Sequence, residues 1–240
     1  GQVLIATEGK AIGKVNGLTV MDIGDTAFGT PARITATVYA GASGVVDIER
    51  EVELGQPIHS KGVMLLTGYL GNKYAQAFPL TVSANIALEQ SYGHIDGDSA
   101  SLGELVALIS AITDIPARQS LAVTGSINQY GEVQAVGGVN EKIEGFFDVC
   151  QHRGLNGEQG VIIPKSNVRQ LVLDKAVVDA VKKGQFAIYS VETVDDALEL
   201  LMEKEAGVLS SRGRYPKNTV NDLAVKRLYQ IACTVNGAEE

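Results

Sequence analysis

Three features of the 240-residue chain predict an α+β fold with a β-rich N-terminal half followed by an α/β C-terminal half. Between residues 1 and 54 the sequence is a series of glycine-punctuated extended runs. From Ala100 onward, Leu102, Leu105, Val106, Ile109 and Ile112 recur at helical spacing. Beyond Gly160, short apolar strands alternate with amphipathic helices, the pattern of an α/β unit.

The extended runs are Val3 to Thr7, Ile12 to Val20, Ala32 to Ala40 and Gly44 to Val52, expected as antiparallel strands. Gly41-Ala42-Ser43-Gly44 suits a hairpin between the last two. Val63 to Thr67, between Gly62 and Gly68, is expected as a buried strand. A half-buried strand is expected over Leu80 to Glu89. The helix from Ala100 should end near Thr113-Asp114, because Pro116 disfavours helical geometry at Ile115. Strands are expected over Leu121 to Thr124 and Glu132 to Val136. Gly137-Gly138 then opens a helix with Val139, Ile143, Phe146, Phe147 and Cys150 on its apolar side. A strand over Val161 to Pro164, helices over 165 to 183 broken near Leu173-Asp174, a strand over Phe186 to Val191 and a helix over Val194 to Glu203 follow. One domain is expected over residues 1–206, and a basic helical extension over 207–240, with its helix from Val220 to Val235 read as a solvated or packing helix on the domain surface rather than a binding arm.

Composition narrows the function classes. The net charge of −8 argues against a general nucleic-acid binder. No apolar run approaches the ~20 residues of a membrane span, so a soluble, cytoplasmic protein without membrane contact is expected. Cys150 and Cys233 suit reduced packing residues, and His59, His94 and His152 show no metal-ligand spacing. Gly9-Lys10-Ala11-Ile12-Gly13-Lys14 misses the spacing of a phosphate loop, with Val15 at the hydroxyl position. No cofactor is expected in this chain.

Ser99 stands where an extended segment meets a helix. Unpaired N–H groups there suit either a helix-capping serine or a nucleophile beside an oxyanion site. A serine nucleophile needs a base. With histidine, Ser99, Asp148 and His152 follow in α/β-hydrolase order, but the second glycine of the Gly-x-Ser-x-Gly elbow is missing and the other two share one helix. With lysine, a dry site must lower an amine pKa from its ordinary ~10.4. No Ser-x-x-Lys occurs, and Lys142, at the margin of the apolar face of its helix, is the best-placed lysine.

Asp96-Gly97-Asp98-Ser99-Ala100-Ser101, Ala122-Val123-Thr124-Gly125-Ser126-Ile127 and Gly131 to Glu144, with Gly137-Gly138-Val139-Asn140-Glu141-Lys142, closely resemble the proteolytic domain of Lon proteases. Gly-Asp-Ser-Ala-Ser is more like the B-type and bacterial Lon-like branches, and Thr67-Gly68-Tyr69-Leu70-Gly71 is similar to the family's Thr-Gly-x-Leu-Gly element. The match spans roughly residues 60 to 205.

The resemblance implies a Ser99/Lys142 dyad endopeptidase acting on unfolded or damaged proteins or peptides, with Thr124 holding the lysine amine. It also implies an oxyanion or gating loop of Asp96, Gly97 and Asp98. Asp96 is open between a lysine partner and a turn residue, and for Asp98 helix capping is the simpler role. Self-association into a hexameric ring is expected, and ATP and Mg are expected only in a missing N-terminal motor domain, this chain being an excised C-terminal fragment. The alternatives are a non-catalytic ring scaffold of the same fold, or a gated inactive peptidase domain. Phe78-Pro79 interrupts the helical family pattern after Gly71, which bears on substrate entry.

Overall fold

A computed structural model describes residues 5–91 and 97–237. Along the chain come strands β1 (Lys10–Ala11), β2 (Lys14–Ile23), β3 (Thr26–Tyr39) and β4 (Gly44–Asp47), then helices α1 (Ile48–Glu51) and α2 (Pro57–Tyr74). Next are β5 (Ser83–Leu88), α3 (Ser101–Thr113), β6 (Ala117–Arg118), β7 (Leu121–Val123), β8 (Ser126–Ile127), β9 (Val133–Gln134) and α4 (Val139–Arg153). The remainder is β10 (Gly160–Pro164), a 3₁₀ turn (Lys165–Gln170), α5 (Lys175–Lys182), β11 (Ala187–Val191), α6 (Val194–Met202) and α7 (Val220–Gly237).

A seven-stranded mixed sheet in the order β11-β10-β7-β2-β3-β5-β4 forms the frame of this α+β fold. β2 and β3 pair antiparallel along ten residues, whereas β7 joins β2, and β10 joins β7 and β11, in parallel. Strand alternation sends side chains to two cores. Val15, Leu121, Val123 and Ile162 face the layer of α2, α3, α6 and α7, while Leu18, Ala122, Val161 and Ile163 face α4 and α5. Helix α3 is buried from Ser101 through Ser110, so it is the central helix of its layer. Asp114 ends it in left-handed backbone, two residues before Pro116. Helix α7 puts Val220, Ala224, Leu228 and Ile231 into the same core as α3.

Three expectations are corrected. The run between Gly62 and Gly68 is helical, inside α2, and not a strand. Val63, Leu66 and Leu70 are buried and Met64 is exposed, which is helical periodicity. Pro57 at the first turn suits a helix start, and the glycines are contact points with neighbouring chain. The helix reaches Tyr74, past Gly71, before the chain turns toward Phe78-Pro79.

Secondly, Gly41–Gly44 does not close a hairpin: β5 lies between β3 and β4, and β4 runs parallel to β5. Gly41 crosses over Ser83, where a Cβ would meet the Ser83 Oγ at 2.3 Å, and Gly44 N–H donates to Val82 O at 2.9 Å. Thirdly, the extended run to Val52 stops at Asp47. The Asp47 side chain accepts from Glu49 N–H at 3.1 Å and caps α1. Of the run Val3 to Thr7, Val3 and Leu4 lie outside the described residues, and Ile5 to Thr7 are not in a strand.

Candidate active site

The site lies at the C-terminal end of β7, where the parallel part of the sheet meets the start of α3. Thr124 N–H donates to Ile162 O at 3.1 Å, extending the strand pairing by one residue. Thr124 is fully buried and follows Ala122 by two positions, so its side chain points to the α4 face. There the Lys142 amine donates to the Thr124 hydroxyl at 3.2 Å.

Lys142 reaches this place because α4 approaches β3 across two glycines. A Cβ on Gly29 would stand 2.6 Å from Lys142 Cα and 2.0 Å from Glu141 O; one on Gly145 would stand 2.0 Å from Gly29 O. The helix starts from Gly138, whose left-handed backbone (φ 64°) favours glycine and whose carbonyl accepts from Lys142 N–H at 3.0 Å. The margin position is thus drawn wholly inward: Lys142 is 4% exposed. Burial pulls its amine down to about 8, against the opposing pull of the Asp98 and Glu141 carboxylates.

Ser99 is tied to the same strand end. Gly125 N–H donates to Ser99 O at 2.9 Å and Leu102 N–H to Gly125 O at 3.1 Å, so the turn before α3 is laced to the residue after Thr124. The N-cap of α3 is Ala100, without a side-chain capping bond, so Ser99 is not the helix cap. Asp98 uses its backbone carbonyl, which accepts from Ser101 N–H at 3.0 Å and Ser101 Oγ at 2.7 Å. Its carboxylate is the charge that most favours a protonated Lys142. Gly97, with φ 87°, leads into this turn. Asp96 lies outside the described residues.

Asp148 and His152 are exposed on α4 whereas Lys142 is buried, so the histidine alternative is not assembled in the buried site. The segment weighed as a phosphate loop is sheet instead. Lys10 and Ala11 pair with Arg118 and Ala117, and Gly13 N–H already donates to Ser110 Oγ at 3.0 Å. Missed from the sequence is a buried group of His59, Asp47, Glu49 and Glu104 behind the Ser99 turn. One signal was available: Glu104 is a lone carboxylate inside the otherwise apolar stretch of α3.

A buried amine whose pKa approaches neutrality, held by a hydroxyl beside a serine-bearing turn, is equipment for lysine-assisted hydrolysis. The family model of the Lon protease (S16) C-terminal proteolytic domain matches residues 6–204, and the chain belongs to that family. It is 50% identical over 203 residues to a protein of Escherichia coli K12 named "Putative Lon protease homolog", covering 84% of this chain and 35% of that protein. A protein of the same name from Haemophilus influenzae is 48% identical over 206 residues, 85% of this chain and 34% of its own length. An archaeal Lon protease of Pyrococcus abyssi is 34% identical over 218 residues, 84% of this chain and 19% of its length. The chain thus spans about a third of the two bacterial relatives. No helix among the described residues is long and apolar enough to cross a membrane.

Proposed function

We propose that this peptidase-family domain cleaves unfolded or damaged protein chains with Ser99 as nucleophile and Lys142 as general base. The observation that carries the reading is the buried Lys142 amine, held at 3.2 Å by Thr124 and lowered to about 8, beside the turn that carries Ser99. An ordinary lysine is almost wholly protonated at neutral pH, whereas an amine with a pKa near 8 has a usable neutral fraction.

In the reaction, the neutral Lys142 amine takes the Ser99 hydroxyl proton as the oxygen attacks the peptide carbonyl. The resulting ammonium gives that proton to the leaving amine, and a water repeats the sequence on the acyl-enzyme. Backbone N–H groups at Asp98 and Ser99 stabilise the oxyanion. Thr124 fixes the amine, and the charge of Asp98 opposes its deprotonation.

Substrate adds as an extended strand. Supporting this, β3 pairs with β5 only over Ile34 to Tyr39, so among the described residues Thr26 to Ala32 have β2 on one side and no strand on the other. That edge passes Gly29, against the backbone of Lys142. Strand addition reads backbone more than side chains, which suits cleavage of varied unfolded chains.

The domain works in a hexameric ring of a cytoplasmic, ATP-dependent protease whose ATP and Mg bind outside these residues. The greater length of the relatives is consistent with further domains. Turnover of a fluorogenic peptide and of an unfolded casein-like substrate by Ser99→Ala and Lys142→Ala tests the dyad. Both variants fold and cleave nothing; turnover retained in either overturns the assignment.

A further inference from the structure

The charged residues behind the Ser99 turn form one buried group. His59, on α2, is 2% exposed, and its Nε2 lies 3.4 Å from Asp47 Oδ2 and 3.7 Å from Glu104 Oε1. Asp47, Glu49 and Glu104 are each under 7% exposed. Asp47 Oδ2, His59 Nε2 and Glu104 Oε1 have no hydrogen-bond partner among the described residues, so the group is held by charge at slightly longer range. Burial works against a charge on His59, yet Asp47, Glu104 and Glu49 together hold its pKa above the ordinary value. Burial pushes Glu104 up to about 7.

This group meets the chain on both sides of Ser99, at the end of β5 before it and on α3 after it. At the entry, the Glu49 carboxylate accepts from Leu88 N–H at 2.6 Å, at the last residue of β5. At the exit, Glu104 lies one helical turn beyond Ser101, whose amide and hydroxyl both bond to Asp98 O. Helix α2 bears on the same turn. At Gly62, one turn after His59, an added Cβ would stand 3.2 Å from Asp98 Cβ and 3.6 Å from Ser101 Cβ. His59 therefore sits where α2, α3 and the start of α1 are drawn together, one turn from the point at which α2 meets Asp98 and Ser101.

We propose that His59 and Glu49 are positioning residues: the buried group pins the chain at Leu88 and at Glu104, and so sets where Ser99 stands relative to Lys142. The inference rests on the dyad reading for its effect on rate, but its effect on the turn is independent of it. Neither residue touches substrate. Their work is to keep Ser99 and Leu102 seated on Gly125, a placement in which a shift near 1 Å costs about a hundredfold in rate.

The test uses His59→Gln and Glu49→Gln in the full chain, with peptide kinetics and amide hydrogen exchange measured side by side. In His59→Gln, kcat falls about tenfold or more with KM nearly unchanged. The Ser101, Leu102 and Gly125 amides exchange at least about tenfold faster, while those of β10 keep their protection. Glu49→Gln keeps an acceptor for Leu88 and shows the same pattern more weakly, so it serves if His59→Gln does not fold. Unchanged exchange at Ser101 and Gly125 in a folded variant, or faster exchange spread evenly through the sheet, overturns the proposal. Loss of activity in Ser99→Ala judges the dyad separately, since a failed dyad leaves the exchange result intact.

Discussion

Gly145 of α4 faces Gly29 of β3 so closely that a Cβ on Gly145 would sit 2.0 Å from the Gly29 carbonyl oxygen. Backbone meets backbone there, and Lys142 is one turn away on the same helix. The depth at which the lysine enters the protein is therefore set by two residues with no side chains. Gly145→Ala must push α4 off the sheet, at a cost of about 1–3 kcal/mol from overpacking. Loss of most peptide cleavage is expected in Gly145→Ala, with a lower thermal midpoint. Gly154→Ala, at a position with open space around it, tests only backbone strain and should leave the rate unchanged.

The pH profile reports the lysine. In the proposed mechanism the neutral form of Lys142 is the active one, so kcat/KM should rise with pH and level off above the amine's pKa of about 8. Asp98 favours the charged amine most among its neighbours, so Asp98→Asn should move this limb to lower pH. A limb that stays in place in Asp98→Asn contradicts this electrostatic picture.

Lys142 should also cost stability. Its folded pKa, about 8, lies below the unfolded value of 10.5, so the unfolded chain binds the proton more tightly. The penalty is in full force below pH 8 and disappears as pH rises from 8 through 10.5. At 1.36 kcal/mol per unit it is on the order of 3 kcal/mol for a side chain this buried. Lys142→Met, similar in volume, should be inactive yet melt higher than the parent at pH 7, with the advantage shrinking toward pH 10. A variant that melts lower at pH 7 contradicts the assigned burial cost.

Thr124→Val removes the hydroxyl that holds the amine while keeping the shape of a fully buried side chain. A drop of about tenfold or more in kcat with little change in KM is expected, because the base loses its fixed place and substrate contacts do not change. Peptide kinetics at pH 8 check this.

The helix-start signals made the site legible in the sequence. Gly137-Gly138 before an apolar periodic run marks α4 and puts Lys142 at the edge of its buried face; only its full descent to Thr124 needed the close glycine contact with β3. Helix α3 was legible from its apolar spacing and from Pro116. Helix α2 was not, because Gly62 and Gly68 resemble strand ends in isolation. Their use, packing against Asp98 and Gln129, depends on residues far along the chain. The same holds for the hairpin assigned to Gly41–Gly44, where β5, arriving much later, inserts between β3 and β4. His59, Asp47, Glu49 and Glu104 carry no mutual spacing signal, since four separate elements bring them together.

Peptidyl boronate binding tests the Ser99 and Lys142 pairing most directly, because boron forms its adduct with an activated hydroxyl. A covalent adduct is expected on Ser99 in the parent protein, absent in Ser99→Ala and weakened in Lys142→Ala. Equal binding of the boronate by the parent and Ser99→Ala would contradict it.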